Sequence, residues 1–103
     1  MILIADSGST KTDWVLCEGG TIVSRTRTQG LNPTQQSAED ISDILKTELA
    51  CRIEADAPET IYFYGAGCAY DNANKRMLNA LESIFKTRDI HINSDLLAAA
   101  RAL

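Results

Sequence analysis

The chain has 103 residues, of which 45% are hydrophobic and 23% charged, and its formal net charge at pH 7 is −4. The length is typical of one domain, and the apolar fraction is sufficient for a hydrophobic core. An acidic chain without a lysine or arginine cluster disfavours nucleic-acid binding through a basic face. No apolar stretch approaches the ~20 residues of a membrane helix, and the N-terminal run is too short for a signal peptide. We therefore expect a globular cytoplasmic domain with neither a membrane nor a nucleic-acid partner.

Short apolar, β-branched runs predict five strands, at 2–5, 13–18, 21–28, 60–64 and 89–93. Apolar residues that recur every three or four positions predict helices at 35–53 and 72–86, the first capped by Thr34 or Ser37. A third helix is predicted from Ser94 or Asp95 to the last residue. The order βββαβαβα predicts an α/β fold with a mixed sheet, antiparallel at one side and parallel at the other.

The segment Asp6-Ser-Gly8-Ser-Thr10-Lys11-Thr12 follows the first strand and leads directly into the second. Mg²⁺ is commonly held by one or two carboxylates and phosphate oxygens, which suits Asp6. Glycine permits close backbone approach, and successive N–H groups and hydroxyls from Gly8 to Thr12 could bind a phosphate. A polar hairpin that only reverses the chain explains the same residues equally well. The segment is not a P-loop, because it lacks the earlier glycine and a strand follows it.

This segment resembles the first phosphate motif of the sugar kinase, actin and Hsp70-type ATPase superfamily. The chain looks most like the N-acetylglucosamine kinase group and the BadF/BadG/BcrA/BcrD ATPase family. The resemblance covers essentially the whole chain, with support at matching element boundaries from Gly30-Leu31-Asn32-Pro33, Gly65-Ala66-Gly67 and Asn93-Ser94-Asp95. It implies that residues 1–103 form the N-terminal ribonuclease H-like (actin-like ATPase) domain, with a C-terminal domain absent from this chain.

The resemblance also implies site residues. Mg²⁺ would be held by Asp6, and the ATP phosphates by Gly8, Ser9, Thr10, Lys11 and Thr12. The sugar would be contacted by Asn32, Gly65, Gly67 and Asp95, and Asp95 would act as the general base. From the residues alone, an Asn-Pro turn explains Asn32 better than a sugar contact, and a helix N-cap explains Asp95 better than catalysis, whereas a strand-ending turn explains the glycines as well as a functional role does.

The implied activity is ATP-dependent phosphoryl transfer to an amino sugar. The second phosphate motif and the adenosine-binding segment of the superfamily do not occur in this chain, so we expect it to be inactive alone. The expected partners are the nucleotide, the sugar and the missing C-terminal domain, and a homodimer is left open. His91 and Trp14 are interpreted as structural residues of strands.

Three alternatives remain. The first is a BadF-type ATPase that activates a dehydratase and shares an iron–sulfur cluster between subunits. The cysteines Cys17, Cys51 and Cys68 form no metal-binding spacing and fall on a strand, a helix end and a loop, which suits such a cluster poorly. The second is a ribonuclease H-like nuclease, which needs several clustered carboxylates around two metals. The third is a non-enzymatic truncated domain.

Overall fold

The computed structural model describes residues 1–8, 10–54, 56–65 and 71–93. Its strands are β1 Ile2–Ser7, β2 Lys11–Glu18, β3 Thr21–Gln29, β4 Thr60–Gly65 and β5 Ile90–Asn93, and its helices are α1 Ala38–Glu48 and α2 Asp71–Ile84. The strands form one sheet in the order β3-β2-β1-β4-β5. The first three pair antiparallel, whereas β1–β4 and β4–β5 pair parallel, which confirms the predicted mixed sheet. The predicted third helix lies outside the described residues.

Alternation along the central strand β1 divides the sheet into two faces. Leu3 and Ala5 are fully buried on the face that carries both described helices, where they pack with Trp14 and Phe63. Ile2 and Ile4 lie on the opposite face, next to the two tyrosines of β4. On that face Ile4 is buried and Ile2 half-buried, so both faces of β1 carry apolar side chains and its sequence is a continuous apolar run up to Asp6.

Helix α1 is shorter than the predicted 35–53. Ser37 is its N-cap and accepts a hydrogen bond from the Asp40 N–H at 3.1 Å, so the second of the two proposed caps is used. The N–H groups of Gln35 and Gln36 both donate to the Asn32 carbonyl, which holds them in a turn before the helix. In the part of the chain that the structure describes, no helix is long and apolar enough to cross a membrane.

Gly65 ends β4 beside the last residue of β1, where it is the parallel partner of Ser7. A Cβ at Gly65 would lie 3.0 Å from the Ser7 Cβ and 3.2 Å from the Phe63 Cε1. Both distances are shorter than ordinary van der Waals contact. The two strands therefore approach this closely because position 65 has no side chain.

At the other end of β4, its first residue, Thr60, is hydrogen-bonded to Asp89, the residue that precedes β5. The Thr60 hydroxyl donates to Asp89 Oδ2 at 2.8 Å, and His91 Nε2 lies 2.9 Å from Oδ1. The Thr60 hydrogen bond, and after it the contact with His91, hold the pKa of the Asp89 carboxyl below its ordinary 3.8. The ionised form of Asp89 therefore favours the folded state.

We expect Gly65→Ala to lower the free energy of unfolding by about 1–3 kcal/mol, because the added methyl group overpacks the Ser7 contact. Gly8→Ala is the matched control, since a Cβ there would meet the Lys11 carbonyl oxygen at an ordinary 3.5 Å and Gly8 does not have a positive φ. The control should change stability by less than about 0.5 kcal/mol. Urea unfolding measures both, and equal losses would contradict this packing argument.

The lowered pKa of Asp89 predicts a pH-dependent contribution to stability. A depressed carboxyl pKa stabilises the fold above the unfolded-state value, and this contribution is lost as the pH falls through the folded-state value. Thr60→Val removes the largest cause of the shift and should move the Asp89 pKa upward, towards 3.8. Carboxyl-carbon NMR titration of both proteins checks this, and an unchanged pKa in the variant would show that Thr60 is not responsible.

Candidate functional site

The hairpin between β1 and β2 carries the predicted phosphate-binding residues. It is closed by the Gly8 N–H, which donates to the Lys11 carbonyl at 2.8 Å. The Gly8 N–H is therefore engaged within the hairpin in this structure, and its expected role as the first anion-binding N–H stays a prediction. Thr10 and Lys11 are exposed on the hairpin, and Ser9 lies outside the described residues. Phosphate binding by these residues remains a prediction.

Thr12 is fully buried on the helix-bearing face of the sheet. Its hydroxyl lies 2.9 Å from the Ser7 hydroxyl and 3.1 Å from the Gln29 carbonyl oxygen. In this structure β2 turns the Thr12 side chain inward, so its hydroxyl is bonded within the fold, and phosphate binding through it stays a prediction.

Asp6, the predicted metal ligand, is exposed on the opposite face of the sheet. It is the antiparallel partner of Asp13, so two carboxylates lie directly opposite each other, where Cα atoms are typically ~4.5–5.5 Å apart. Arg27 Nε donates to Asp13 Oδ1 at 2.8 Å, whereas Asp6 makes no ion pair among the described residues. An exposed, unpaired carboxylate beside a second one fits a hard divalent cation. No group of three His, Cys, Asp or Glu side chains suited to a metal occurs in the described ranges.

The 30–34 loop follows β3 and contains Asn32, the predicted sugar contact. Asn32 Oδ1 accepts from the Thr34 N–H at 3.0 Å and from the Thr34 hydroxyl at 2.6 Å. Because a backbone N–H can only donate, this atom must be the amide oxygen. The Asn32 Nδ2 group has no hydrogen-bond partner within the described part of the chain. Asn32 thus forms the expected turn through its Oδ1 atom and still has, among the described residues, an unbonded Nδ2 donor.

Contacts from several elements hold the 30–34 loop in place. Leu31 is buried in the core, and both its N–H and its carbonyl are bonded to the Ser7 hydroxyl, at 3.0 and 2.9 Å. The Asn32 N–H donates to Gln36 Oε1 at 2.7 Å, and an Arg76 guanidinium nitrogen donates to the Pro33 carbonyl at 2.8 Å. This loop is therefore attached to β1 on one side and to α2 on the other.

The structure brings together three of the predicted groups at the carboxyl ends of β1 and β4. Ser7 contacts Thr12 of the hairpin, Leu31 of the 30–34 loop, and Gly65 at the end of β4. The predictions for Gly67 and Asp95 lie outside the described residues, as does Cys68.

The residues that sequence analysis set aside occupy structural positions. Trp14 is fully buried, donates from Nε1 to the Thr28 hydroxyl at 3.0 Å, and has its ring centroid 5.9 Å from that of Phe63. His91 lies on β5 and stacks on Tyr62 with a centroid distance of 4.9 Å. Cys17 is buried in β2, whereas Cys51 is exposed beyond α1.

Ser7 and Asp13 are not among the site residues predicted from the sequence. The sequence could have identified both, because residues equally distant from the centre of a two-strand hairpin are paired across it. A turn centred between positions 9 and 10 pairs Asp6 with Asp13 and Ser7 with Thr12, as the structure shows.

The chain is similar to a solved structure from Porphyromonas gingivalis that is described as a candidate N-acetylglucosamine kinase. The two share 42% sequence identity with a TM-score of 0.88, and the match covers 100% of this chain and 37% of that one. No protein-family model and no curated protein matches the chain. This chain thus spans little more than a third of the length of the protein that it matches. The comparison confirms the predicted resemblance: the α/β fold with its five-stranded mixed sheet closely matches part of a protein described as a sugar kinase, which has the actin-like ATPase fold.

Proposed function

We propose that this chain supplies the N-terminal phosphate- and sugar-binding half of a cytoplasmic, ATP-dependent amino-sugar kinase. The observation that carries the proposal is the 42% identity, over the entire chain, to the Porphyromonas gingivalis protein. The geometry supports it, because the exposed hairpin residues and the Asn32 Nδ2 group, which has no hydrogen-bond partner among the described residues, belong to segments joined at Ser7. Transfer would run from the γ-phosphate of ATP to a hydroxyl of N-acetylglucosamine or a related hexosamine.

Each part of the reaction is assigned to a residue of this chain. Asp6 would hold Mg²⁺, which neutralises phosphate charge in such reactions. Thr10 and Lys11 are exposed on the hairpin and can donate to phosphate oxygens. The Asn32 Nδ2 group can donate to a sugar hydroxyl, which holds the acceptor for attack. Asp95 would accept the proton of the attacking hydroxyl.

The described residues give less support to the other candidate functions. A ribonuclease H-like nuclease needs clustered carboxylates for two metals, and the end of β4 next to Asp6 contributes only Tyr64 and Gly65. A dehydratase-activating ATPase would need accessible cysteines for a shared cluster, yet Cys17 is buried. A brown, iron-containing preparation of the protein would favour that ATPase over the kinase.

The first test is a coupled assay for phosphorylation of N-acetylglucosamine by the longest natural polypeptide that contains this sequence. We expect activity in that protein and none from the 103 residues alone. Asp95→Asn should lower kcat by about 10²–10⁴-fold, the usual contribution of a general base. Asp43→Asn, an exposed carboxylate on the surface of α1, is the matched control and should retain wild-type activity. Activity of the isolated chain would refute the two-half assignment, and full activity of Asp95→Asn would refute the general base.

The second test concerns the metal. Asp6→Asn should raise the Mg²⁺ concentration required for half-maximal activity by at least about tenfold, because a neutral amide is a weaker ligand than a carboxylate. Mg²⁺ titration of the wild type, this variant and the Asp43→Asn control measures the effect. An unchanged requirement in Asp6→Asn would remove Asp6 from the metal site and leave the kinase assignment to the first test.

A further inference from the structure

Ser7 is a buried polar residue whose hydroxyl makes three contacts at the end of the central strand. Only 5% of the residue is exposed. Its Oγ accepts from the Leu31 N–H at 3.0 Å, lies 2.9 Å from the Leu31 carbonyl oxygen, and lies 2.9 Å from Thr12 Oγ1. One side chain thus bonds both backbone groups of a residue that belongs to no strand.

Leu31 depends on this hydroxyl for its backbone hydrogen bonds. Leu31 is 1% exposed, and no other partner for its N–H or carbonyl is found among the described residues. A buried backbone group without a partner is costly, so the chain at Leu31 is held where the Ser7 hydroxyl can reach it. Asn32 is the next residue, and its position follows from that of Leu31.

The number of hydroxyl protons at Ser7 and Thr12 also supports the link between Ser7 and Leu31. Ser7 and Thr12 each have one hydroxyl proton, and these two protons are shared among three contacts: the one between the two hydroxyls, the one from Ser7 to the Leu31 carbonyl and the one from Thr12 to the Gln29 carbonyl. The Leu31 N–H bond to Ser7 is present in every arrangement, because an N–H always donates. Ser7 therefore keeps at least one bond to Leu31 whichever way the two protons are shared.

We propose that Ser7 is a positioning residue that keeps Asn32 in register with the β1–β2 hairpin. Ser7 directly precedes Gly8 in the hairpin, and its hydroxyl bonds the residue that directly precedes Asn32. Gly65 leaves just enough space for this side chain, since a Cβ there would approach the Ser7 Cβ to 3.0 Å. The inference rests on the proposed function for its catalytic consequence but not for its structural one.

Two measurements on Ser7→Ala test the proposal. The first is amide hydrogen exchange by NMR on the chain itself, where the variant should exchange the Leu31 N–H at least about tenfold faster, because that donor loses its acceptor. The second is steady-state kinetics on the longest natural polypeptide. There the KM for N-acetylglucosamine should rise about tenfold or more, while the KM for ATP changes less than about twofold.

Thr28→Val is the matched control. Thr28 is also a buried hydroxyl of the same sheet, but its hydrogen bonds within the described part of the chain go to Trp14 and Gln29 and not to Leu31. The control should lose stability without changing Leu31 exchange or the KM for sugar. If Ser7→Ala fails to fold, Ser7→Cys keeps a weak donor and acceptor at the same position and should give the same pattern at smaller amplitude.

The two measurements distinguish a failure of the Ser7 positioning role from a failure of the proposed kinase function. Unchanged Leu31 exchange in a folded Ser7 variant would overturn the positioning role, whatever the reaction. Faster exchange with no phosphorylation by the wild-type polypeptide would uphold the structural link and refute the proposed function. Faster exchange with an active enzyme and an unchanged KM for sugar would overturn the catalytic consequence.

Discussion

The alternation of side chains at the end of β1 is the constraint on which the candidate site depends. This strand lies in the middle of the sheet and pairs on both sides, with β2 and with β4. Consecutive residues must therefore point to opposite faces, so the Asp6 carboxylate is turned outward and the Ser7 hydroxyl inward. A slip of one residue would exchange them and bury a carboxylate among the apolar core residues. The register that buries Leu3 and Ala5 in the core thus also places the Asp6 carboxylate on the exposed face.

The inward face explains why the core of the described residues, which is mainly leucine, isoleucine and aromatic residues, also contains the buried hydroxyls of Ser7, Thr12 and Thr28. The chain leaves the sheet after β3, and from there its backbone groups have no neighbouring strand to bond. Ser7 supplies hydrogen bonds in place of that strand to Leu31, while Thr12 donates to the carbonyl of Gln29, the last residue of β3. Thr28 accepts from Trp14 and donates to Gln29. Buried polar groups of this kind are tolerated because each is bonded, and together they specify one path for the loop.

Much of this fold could be predicted from the sequence, because the signals were local. Five strands, the amphipathic helix α1 and the Ser37 cap follow from apolar spacing and cap chemistry. Helix α1 begins at Ala38, later than the predicted position 35, because the Asn32 carbonyl holds Gln35 and Gln36 in a turn that apolar spacing does not reveal.

The details of the site were harder to predict. Whether an N–H or hydroxyl is free depends on partners elsewhere in the chain, as with Gly8 and Thr12. Composition alone could not show that the Gly8 N–H closes the hairpin or that Thr12 points inward. Hairpin symmetry could have identified Ser7 and Asp13, since it depends only on the position of the turn.

The charges of the hairpin suggest how a complete site would have to be built. The hairpin and the adjacent strand carry two negative charges, on Asp6 and Asp13, and two positive charges, on Lys11 and Arg27. Arg27 is already paired with Asp13. These residues carry no net positive charge to attract a triphosphate, and the whole chain is acidic at −4. In water the exposed carboxylates are solvated, but a second surface that closed over them would remove that water and strengthen every remaining interaction. Under the proposed function, this hairpin can hold a metal through Asp6 and orient phosphates. Much of the positive potential that binds them must therefore come from groups outside the hairpin.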